Sequence, residues 1–501
     1  MDTMSKKESM SLTRQSQIII LGQALSFCFN FLVPIVVVRF FDVAQYGVYK
    51  QLFLLVMTIL LILPFGSIES LFYFIPRNRD EKIHYVTQTV CLLIVADIFF
   101  LLIMFSTGKY ILTLLNLSQL YIYYIPLGLY IALMVMSLPF EKVLLIQGDV
   151  KASSVVTVIS EISKGICIVA AIVLTRSLAI MLYAILAFAA IRMIVFFYYI
   201  VSMQLLSFSR SVISFERIKI FLNYSFPFGM SVAVATLRRY LHQYFVSFLF
   251  SIQDFAIFAA GSFQLPLMKL TYKTVSNVIL IKISESQKHR KYNEIVEIWL
   301  NSARKLALIY FPITFFFIIA SKEFITIIFT ARYLESIPVF IVTLLQLPLN
   351  VFITQSVLKA FAETRYIFKL NVIFLVITTV LIYFFIHMVG MIGAAIAMVL
   401  SLAFLRISEI VKVKRLVNTS IGTLIPWRIF INIISVCLFC ALLTSFLKSI
   451  VSFRFPFQTF LMEAVLFSLL YVGIIFFSGL LLKSEKKEIK RIINKLSPIP
   501  F

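Results

Sequence analysis

Basic side chains recur at one-turn spacing in two neighbouring apolar segments of this chain. Arg238, Arg239 and His242 lie in the first segment, and Lys269 and Lys273 lie in the second. Residues four apart share one helix face, so each segment presents a basic face. No acid occurs within either segment, and the cations would repel one another unless water or an anion compensates. Guanidinium groups grip phosphate oxygens in a fork, so the pattern indicates an anion site suited to a pyrophosphate or an acidic sugar.

Other charged residues in apolar segments are secondary candidates for the same site. They are Arg39, Glu69, Asp97, Glu161, Lys164 and Arg192. Two of the acids offer a rival interpretation, in which Glu69 or Asp97 forms salt bridges with the basic faces. Glu161 and Lys164 lie three apart on one helix face, with Arg192 at similar depth, so a structural ion-pair cluster is an equal alternative there.

Four further cations lie near the ends of apolar segments, where long side chains can snorkel to water. They are Lys50, Arg304, Lys305 and Arg406. We expect no role in binding for them.

The composition places these residues in a membrane protein. Hydrophobic residues make up 61% of the 501 and charged residues 13%, and the mean hydropathy is +1.02. Apolar stretches of the length that crosses a bilayer recur along the chain, and we count fourteen, from Ile18–Val38 to Phe457–Leu482. The basic segments are the seventh span and the eighth, Phe255–Ile281. The expected fold is therefore all-α.

The net charge of +23 would suggest a nucleic-acid partner in a soluble protein, but its distribution does not. Of the 45 lysines and arginines, ten fall within the spans, seven in outer loops and the remaining 28 in inner segments. This bias follows the positive-inside rule and places both termini in the cytoplasm. No nucleic-acid partner is expected.

Two sequence echoes divide the chain into related halves. Phe41–Tyr49 matches Phe250–Phe258 at an offset of 209, and Gly148–Lys151 matches Ala362–Arg365 at an offset of 214. Six spans separate each pair, so both halves share one orientation, as in transporters with parallel repeats. We predict two six-helix lobes around a central cavity. The predicted domains are an N-lobe at 1–205, a cytoplasmic linker at 206–220, a C-lobe at 221–411, and a C-terminal helix pair with a basic tail at 412–501.

Motifs for chemistry are missing from the sequence. There is no phosphate-binding Gly-x-x-x-x-Gly-Lys-Ser/Thr motif, and the four histidines are not at metal-ligand spacing. No Ser/His/Asp constellation occurs. We therefore expect no enzymatic activity, no metal and no cofactor, although a coupling ion stays open.

Four motifs carry a family resemblance. They are Arg39–Tyr49 after the first span, Asn223–Gly229 opening the seventh, Arg332–Ser336 before the tenth and Val389–Ala397 opening the twelfth. In this order they resemble the polysaccharide (O-antigen type) flippases of the multidrug/oligosaccharidyl-lipid/polysaccharide exporter superfamily. The resemblance covers spans one to twelve and agrees with fourteen helices. Many relatives carry an Asp in the middle of span seven, where this chain has Arg238–His242, so that carboxylate is not carried over.

The resemblance implies the substrate, the location and the partners. The substrate would be an undecaprenyl-pyrophosphate-linked oligosaccharide, carried across the bacterial inner membrane for lipopolysaccharide or another surface polysaccharide. Partners would be this lipid-linked oligosaccharide, membrane lipids, and polymerase or chain-length proteins. The alternatives are a peptidoglycan-precursor flippase and a multidrug or cation antiporter of the same superfamily. A membrane-embedded polymerase or glycosyltransferase is the enzyme alternative, against which the short loops and the lack of clustered acids argue.

The positive-inside pattern makes a topology prediction. A cysteine at position 254 in a cysteine-free protein should react with an impermeant thiol reagent from the periplasm, and one at position 288 should not. Labelling of intact cells, with permeabilised cells as the control for reactivity, measures this. Periplasmic labelling at position 288 would refute the fourteen-span topology.

Overall fold

The computed structural model describes residues 12–114, 121–209, 215–451, 453–480 and 486. Across these ranges the regular elements are helices and no β-strand occurs. The α-helices are α1 Leu12–Phe40, α2 Val43–Ile62, α3 Ser67–Phe74, α4 Lys82–Leu114, α5 Tyr124–Ser137, α6 Pro139–Ile146, α7 Val150–Thr175, α8 Leu178–Ser202, α9 Phe215–Leu249, α10 Ile252–Gly261, α11 Pro266–Lys288, α12 Tyr292–Ile319, α13 Ser321–Phe329, α14 Ile337–Leu344, α15 Gln346–Leu349, α16 Thr354–Ala360, α17 Thr364–Val389, α18 Met391–Leu416, α19 Ile421–Leu424, α20 Trp427–Ile450 and α21 Pro456–Phe477. Short 3-10 helices cover Arg79–Glu81 and Ala331–Ser336.

In the described residues, thirteen helical segments are long and apolar enough to cross a bilayer, judged by length and composition. Large apolar side chains stand exposed on them, for example Phe99 and Leu102 of α4 at 64% and 61%, as expected of lipid-facing surfaces. The predicted all-α membrane fold is confirmed, but the count of fourteen is not. The predicted eighth span does not qualify, because α10 has only ten residues and α11, although longer, carries several lysines.

Contacts divide the chain into two compact units. The first unit comprises Met1–Ala259 with Asn371–Thr379, and the second comprises Ala260–Leu370 with Val380–Phe501. In this division α9, the predicted seventh span, packs with α2 and α3 in the first unit. The lobe boundaries drawn from the sequence stay a prediction.

The first sequence echo is reproduced as one local structure in two places. Asp42 caps α2, accepting from the Gln45 amide at 2.7 Å, while the Gln45 side chain accepts from the Asp42 amide at 3.3 Å. At an offset of 209, Ser251 Oγ accepts from the Asp254 amide at 3.1 Å, and Asp254 accepts from the Ser251 amide at 3.2 Å. Each pair is a reciprocal capping box. The equivalent start of α2 and of α10 supports the internal repeat.

The second echo ends a helix in the same way in both halves. Gly148 and Ala362 have positive φ values of 87° and 56°. The Gly148 amide donates to Leu145, and the Ala362 amide donates to Lys359, at 3.1 and 3.0 Å. This left-handed stop satisfies carbonyl groups that the helix end would leave unpaired. The offset of 214 is therefore also a structural repeat.

The second span is broken, and α9 packs directly onto the break. Phe65 and Gly66, between α2 and α3, both have positive φ values. A Cβ placed on Gly66 would lie 2.7 Å from the Ser225 carbonyl oxygen, and one on Gly229 would lie 2.6 Å from Phe65 Cα. Both distances are shorter than real Cβ contacts. The glycine that closes the Asn223–Gly229 motif thus lets two backbones touch.

The C-terminal helix pair is joined to α13 by charge. Lys448 of α20 lies 2.9 Å from Glu323 of α13 and 2.6 Å from Glu463 of α21. Glu463 is fully buried, so a single ammonium group serves two carboxylates inside the second unit. Removing either kind of partner would leave a buried charge uncompensated.

The Gly229 contact predicts a stability difference between two helical glycines. Gly229→Ala should lower the free energy of unfolding by ~1–3 kcal/mol or more, because the new methyl group overlaps backbone that cannot move away. Gly473→Ala is the matched control, since no atom lies within 4 Å of its Cβ position in α21. Thermal unfolding of the two purified variants in detergent compares them. Equal melting temperatures would contradict the close packing of α9 on the break.

Candidate functional site

The basic face of α9 lies in the first unit and is only partly open. Arg238 is half-buried, and its Nε donates to Asn371 Oδ1 at 3.3 Å. Arg239 is exposed. His242 is 4% exposed, with its ring edge-on to Phe258 at 5.8 Å between centroids. Arg238 and Arg239 thus lie on one partly open face of α9, and His242 is buried beside them.

The second basic face belongs to α11 in the second unit. Lys273 is exposed on this helix. The backbone of Lys269 lies in α11, but its side chain is outside the described part of the structure. The shared cavity predicted for α9 and α11 stays a prediction.

The acids proposed as rival partners take up different positions. Glu69 is exposed on α3, and Asp97 is 5% exposed on α4. Neither carboxylate oxygen of Asp97 accepts a hydrogen bond from any residue in the described ranges. Arg39 is exposed and turns back to donate to the Ile35 carbonyl of its own helix. The geometry therefore gives no support to an Arg238–Asp97 salt bridge.

The Glu161 group forms a partly buried network in the first unit. Glu161 lies 2.5 Å from Lys164 and accepts from Asn30 of α1 at 2.9 Å. Arg192 is within electrostatic range of Glu161 but forms its hydrogen bonds elsewhere. The expected cluster of Glu161, Lys164 and Arg192 is therefore two ion pairs, Glu161 with Lys164 and Arg192 with Glu141.

Arg192 instead pairs with an acid that the sequence had not brought forward. Its Nη2 donates to both carboxylate oxygens of Glu141, at 2.7 and 2.9 Å, and its Nε donates to Ser137 Oγ at 3.0 Å. The side chains of Arg192 and Glu141 are 8% and 16% exposed. The Nε and Nη2 donors of Arg192 are thus engaged by protein groups, one of them a carboxylate that takes both of its hydrogen bonds from the same nitrogen.

A second buried arginine corrects a sequence-based expectation. Arg406 does not snorkel: it is 7% exposed, and it donates to Asn350, Thr354 and Glu409, each at 2.8 Å. Arg304, also expected to snorkel, is 6% exposed and donates to the Leu480 carbonyl at 3.1 Å. One signal in the sequence could have revealed Arg406, because it follows Arg192 by the repeat offset of 214.

Metal chemistry finds no support in the described ranges, where no three His, Cys, Asp or Glu side chains come together. What the arrangement offers is charge: a basic face on α9, a lysine exposed on α11, and internally paired networks in each unit. Within each unit the paired arginines connect neighbouring helices, and basic side chains on α9 and on α11 reach the surface of their own unit.

The sequence profile of a family described as "Polysaccharide biosynthesis protein" matches residues 36–338. No curated protein matches the chain in sequence.

Solved structures share the fold at low sequence identity. The lipid II flippase MurJ in an inward closed conformation has a TM-score of 0.69 at 16% identity, covering 93% of this chain and 99% of its own. An inward-facing multidrug resistance MATE family transporter of the MOP superfamily has a TM-score of 0.62 at 13% identity, covering 79% and 94%. A MOP superfamily transporter from Pyrococcus furiosus, described as having a binding pocket of reverse polarity, has a TM-score of 0.56 at 15% identity, covering 81% and 95%.

The profile match spans more than half of the chain, and the structural matches extend over most of it. The alignment in sequence and the alignment in fold point in one direction. The chain belongs to the polysaccharide biosynthesis protein family, and it shares its fold with a lipid II flippase and with multidrug resistance transporters.

Proposed function

We propose that this protein moves undecaprenyl-pyrophosphate-linked oligosaccharide units across the cytoplasmic membrane by alternating access, for lipopolysaccharide or another surface polysaccharide. The observation that carries the proposal is the basic face of α9 in a chain of this family. Arg238 and Arg239 are accompanied by no acid between Phe221 and Phe250 of α9, and Arg239 is exposed. A pyrophosphate carries the charge that such a face requires.

In this mechanism Arg238, Arg239, Lys269 and Lys273 contribute to one cationic cavity. They hold the pyrophosphate and the adjoining sugar while the lipid tail stays in the bilayer. His242 is buried behind this face and positions α9 through its contact with Phe258. The protein acts as a transporter without a cofactor, and the step draws on an ion gradient, the membrane potential or removal of the product. Both termini lie in the cytoplasm.

The polarity of the basic face favours this substrate over a cationic drug. A pocket for cations would carry acids to attract them, and α9 presents arginines instead. A second candidate, flipping of the peptidoglycan precursor, has the 0.69 TM-score to the lipid II flippase in its favour. The family description, which names polysaccharide biosynthesis, favours the first substrate.

Removal of the cationic face should abolish export without unfolding the protein. We expect Arg238→Ala and Lys269→Ala each to lower surface polysaccharide at least about tenfold, because each removes charge-assisted hydrogen bonds of ~1.5–3 kcal/mol to the pyrophosphate. Arg238→Lys should also be impaired, since an ammonium group cannot make the fork. Surface polysaccharide in a strain lacking its own copy is the measurement, with immunoblots for abundance.

The matched control is Lys305→Ala, which removes an exposed cation from α12 and should leave export unchanged. Normal export by the Arg238→Ala/Lys269→Ala double variant would refute the cationic cavity. Restored growth of cells depleted of their lipid II flippase, without any effect on surface polysaccharide, would instead identify the peptidoglycan precursor as the substrate.

A further inference from the structure

The fourth membrane span of each half, α5–α6 in the first half and α14–α16 in the second, is interrupted, and the two interruptions lie at corresponding positions. In the first half α5 ends at Ser137 and α6 begins at Pro139. In the second half α15 ends at Leu349 and α16 begins at Thr354. Inside a bilayer the backbone groups freed at such a break must be satisfied by other protein groups. Corresponding interruptions in two halves are also where transporters of this kind bind and move.

An arginine from α8, the sixth span, bridges the first interruption. Arg192 of α8 donates to Ser137, the last residue of α5, and to Glu141, in the first turn of α6. One planar guanidinium therefore holds both sides of the break. The Ser137 hydroxyl in turn donates to the Met134 carbonyl at 3.0 Å, which ties the end of α5 into the same network.

The second interruption is bridged from the equivalent position. Arg406 of α18 follows Arg192 by 214 residues, and it donates to Asn350 after α15 and to Thr354 at the start of α16. Its carboxylate partner differs in origin. Glu409 comes from α18 itself, whereas the position equivalent to Glu141 is Gln355, which donates to Glu409 at 3.4 Å.

The carboxylate partner thus comes from the interrupted span in the first half and from α18 in the second, whereas an arginine bridges the break in both halves. A bridge that served packing alone would have no need for the arginine at the same place in both halves, because the two breaks differ in length and sequence. A buried ion pair is moreover a poor source of stability, since apolar residues of similar volume often do as well or better. The conserved element between the halves is the geometry of the clamp across the break.

We propose that Arg192 and Arg406 are positioning residues, which hold the interrupted fourth helix of each half in the bent geometry that translocation requires. The inference rests on the proposed transport function for its purpose. Arg192 and Arg406 do not touch substrate. They couple the interrupted fourth span of each half to its sixth span, α8 or α18. The two spans of each half therefore move together as a rigid body.

Arg192→Lys tests the clamp in the first half. An ammonium group can keep the ion pair with Glu141 but cannot also reach Ser137 in the same plane. Loss of one charge-assisted hydrogen bond corresponds to about a tenfold change in an equilibrium, so we expect export to fall about tenfold at normal abundance. Arg406→Lys should have the same effect in the second half, and Lys305→Ala should have none.

The variant Arg192→Met/Glu141→Met separates positioning from packing. It removes the clamp without leaving a buried charge alone, so the protein should fold at wild-type abundance while export still falls about tenfold. Normal export by this double variant would overturn the proposal, because an ion pair that only fills space can be replaced by apolar side chains.

A distance measurement reads the clamp independently of any substrate. Spin labels at positions 129 on α5 and 142 on α6, both exposed, report the bend in a cysteine-free protein by pulsed dipolar EPR. Labels at positions 180 and 191 within α8 are the control. Arg192→Lys should broaden the first distribution and leave the second unchanged. Unchanged distance distributions at both pairs would overturn the proposal. If Arg192→Lys broadens the distribution between positions 129 and 142 but the wild-type protein exports no polysaccharide, only the proposed substrate is overturned.

Discussion

Within a bilayer every backbone amide and carbonyl must find a protein partner, and the layout of this chain follows from that requirement. Continuous helices meet it by themselves. The interrupted helices do not, and polar side chains lie at three of the interruptions in the described residues. The Ser67 hydroxyl donates to the Pro64 carbonyl at 2.7 Å in the second span. Arg192 and Arg406 span the breaks in the fourth helices. The break in the second span is thus held by a side chain of the span itself, and the breaks in the fourth spans are bridged by arginines from other helices.

The same requirement sorts the charged residues into two groups. Arg192, Arg406 and Lys164 are bound to carboxylates within their own unit, and their networks are close to neutral. Arg239 and Lys273 are exposed on helices that lack membrane-embedded acids. In the first group only the Arg192–Glu141 ion pair joins two helices, whereas Lys164 and Arg406 each pair with an acid of their own helix. The second group lies at the surface of its unit, where water lowers the cost of a charge.

The internal repeat shows which features of one half tolerate change. Capping boxes at residues 42 and 251 use different side chains to make the same two hydrogen bonds. The left-handed stops at Gly148 and Ala362 differ in residue type but agree in backbone conformation. At the interrupted fourth spans the arginine occupies the same position in both halves, but its carboxylate partner lies on a different helix in each half. Backbone geometry is therefore what the halves share, and side-chain identity is free wherever another donor or acceptor can reach.

The sequence alone determined the membrane class, the all-helical architecture, the repeat offsets and most of the spans. Those features depend on hydropathy and on contacts within a few residues, which the order of residues contains directly. The tertiary structure decided which buried charges pair. Arg192 pairs with Glu141 and not with Glu161. Arg406 is buried, although its position near a helix end predicts a side chain that snorkels to water. A long side chain can reach several helices, so its partner is set by how those helices pack, and no spacing along the chain records that choice.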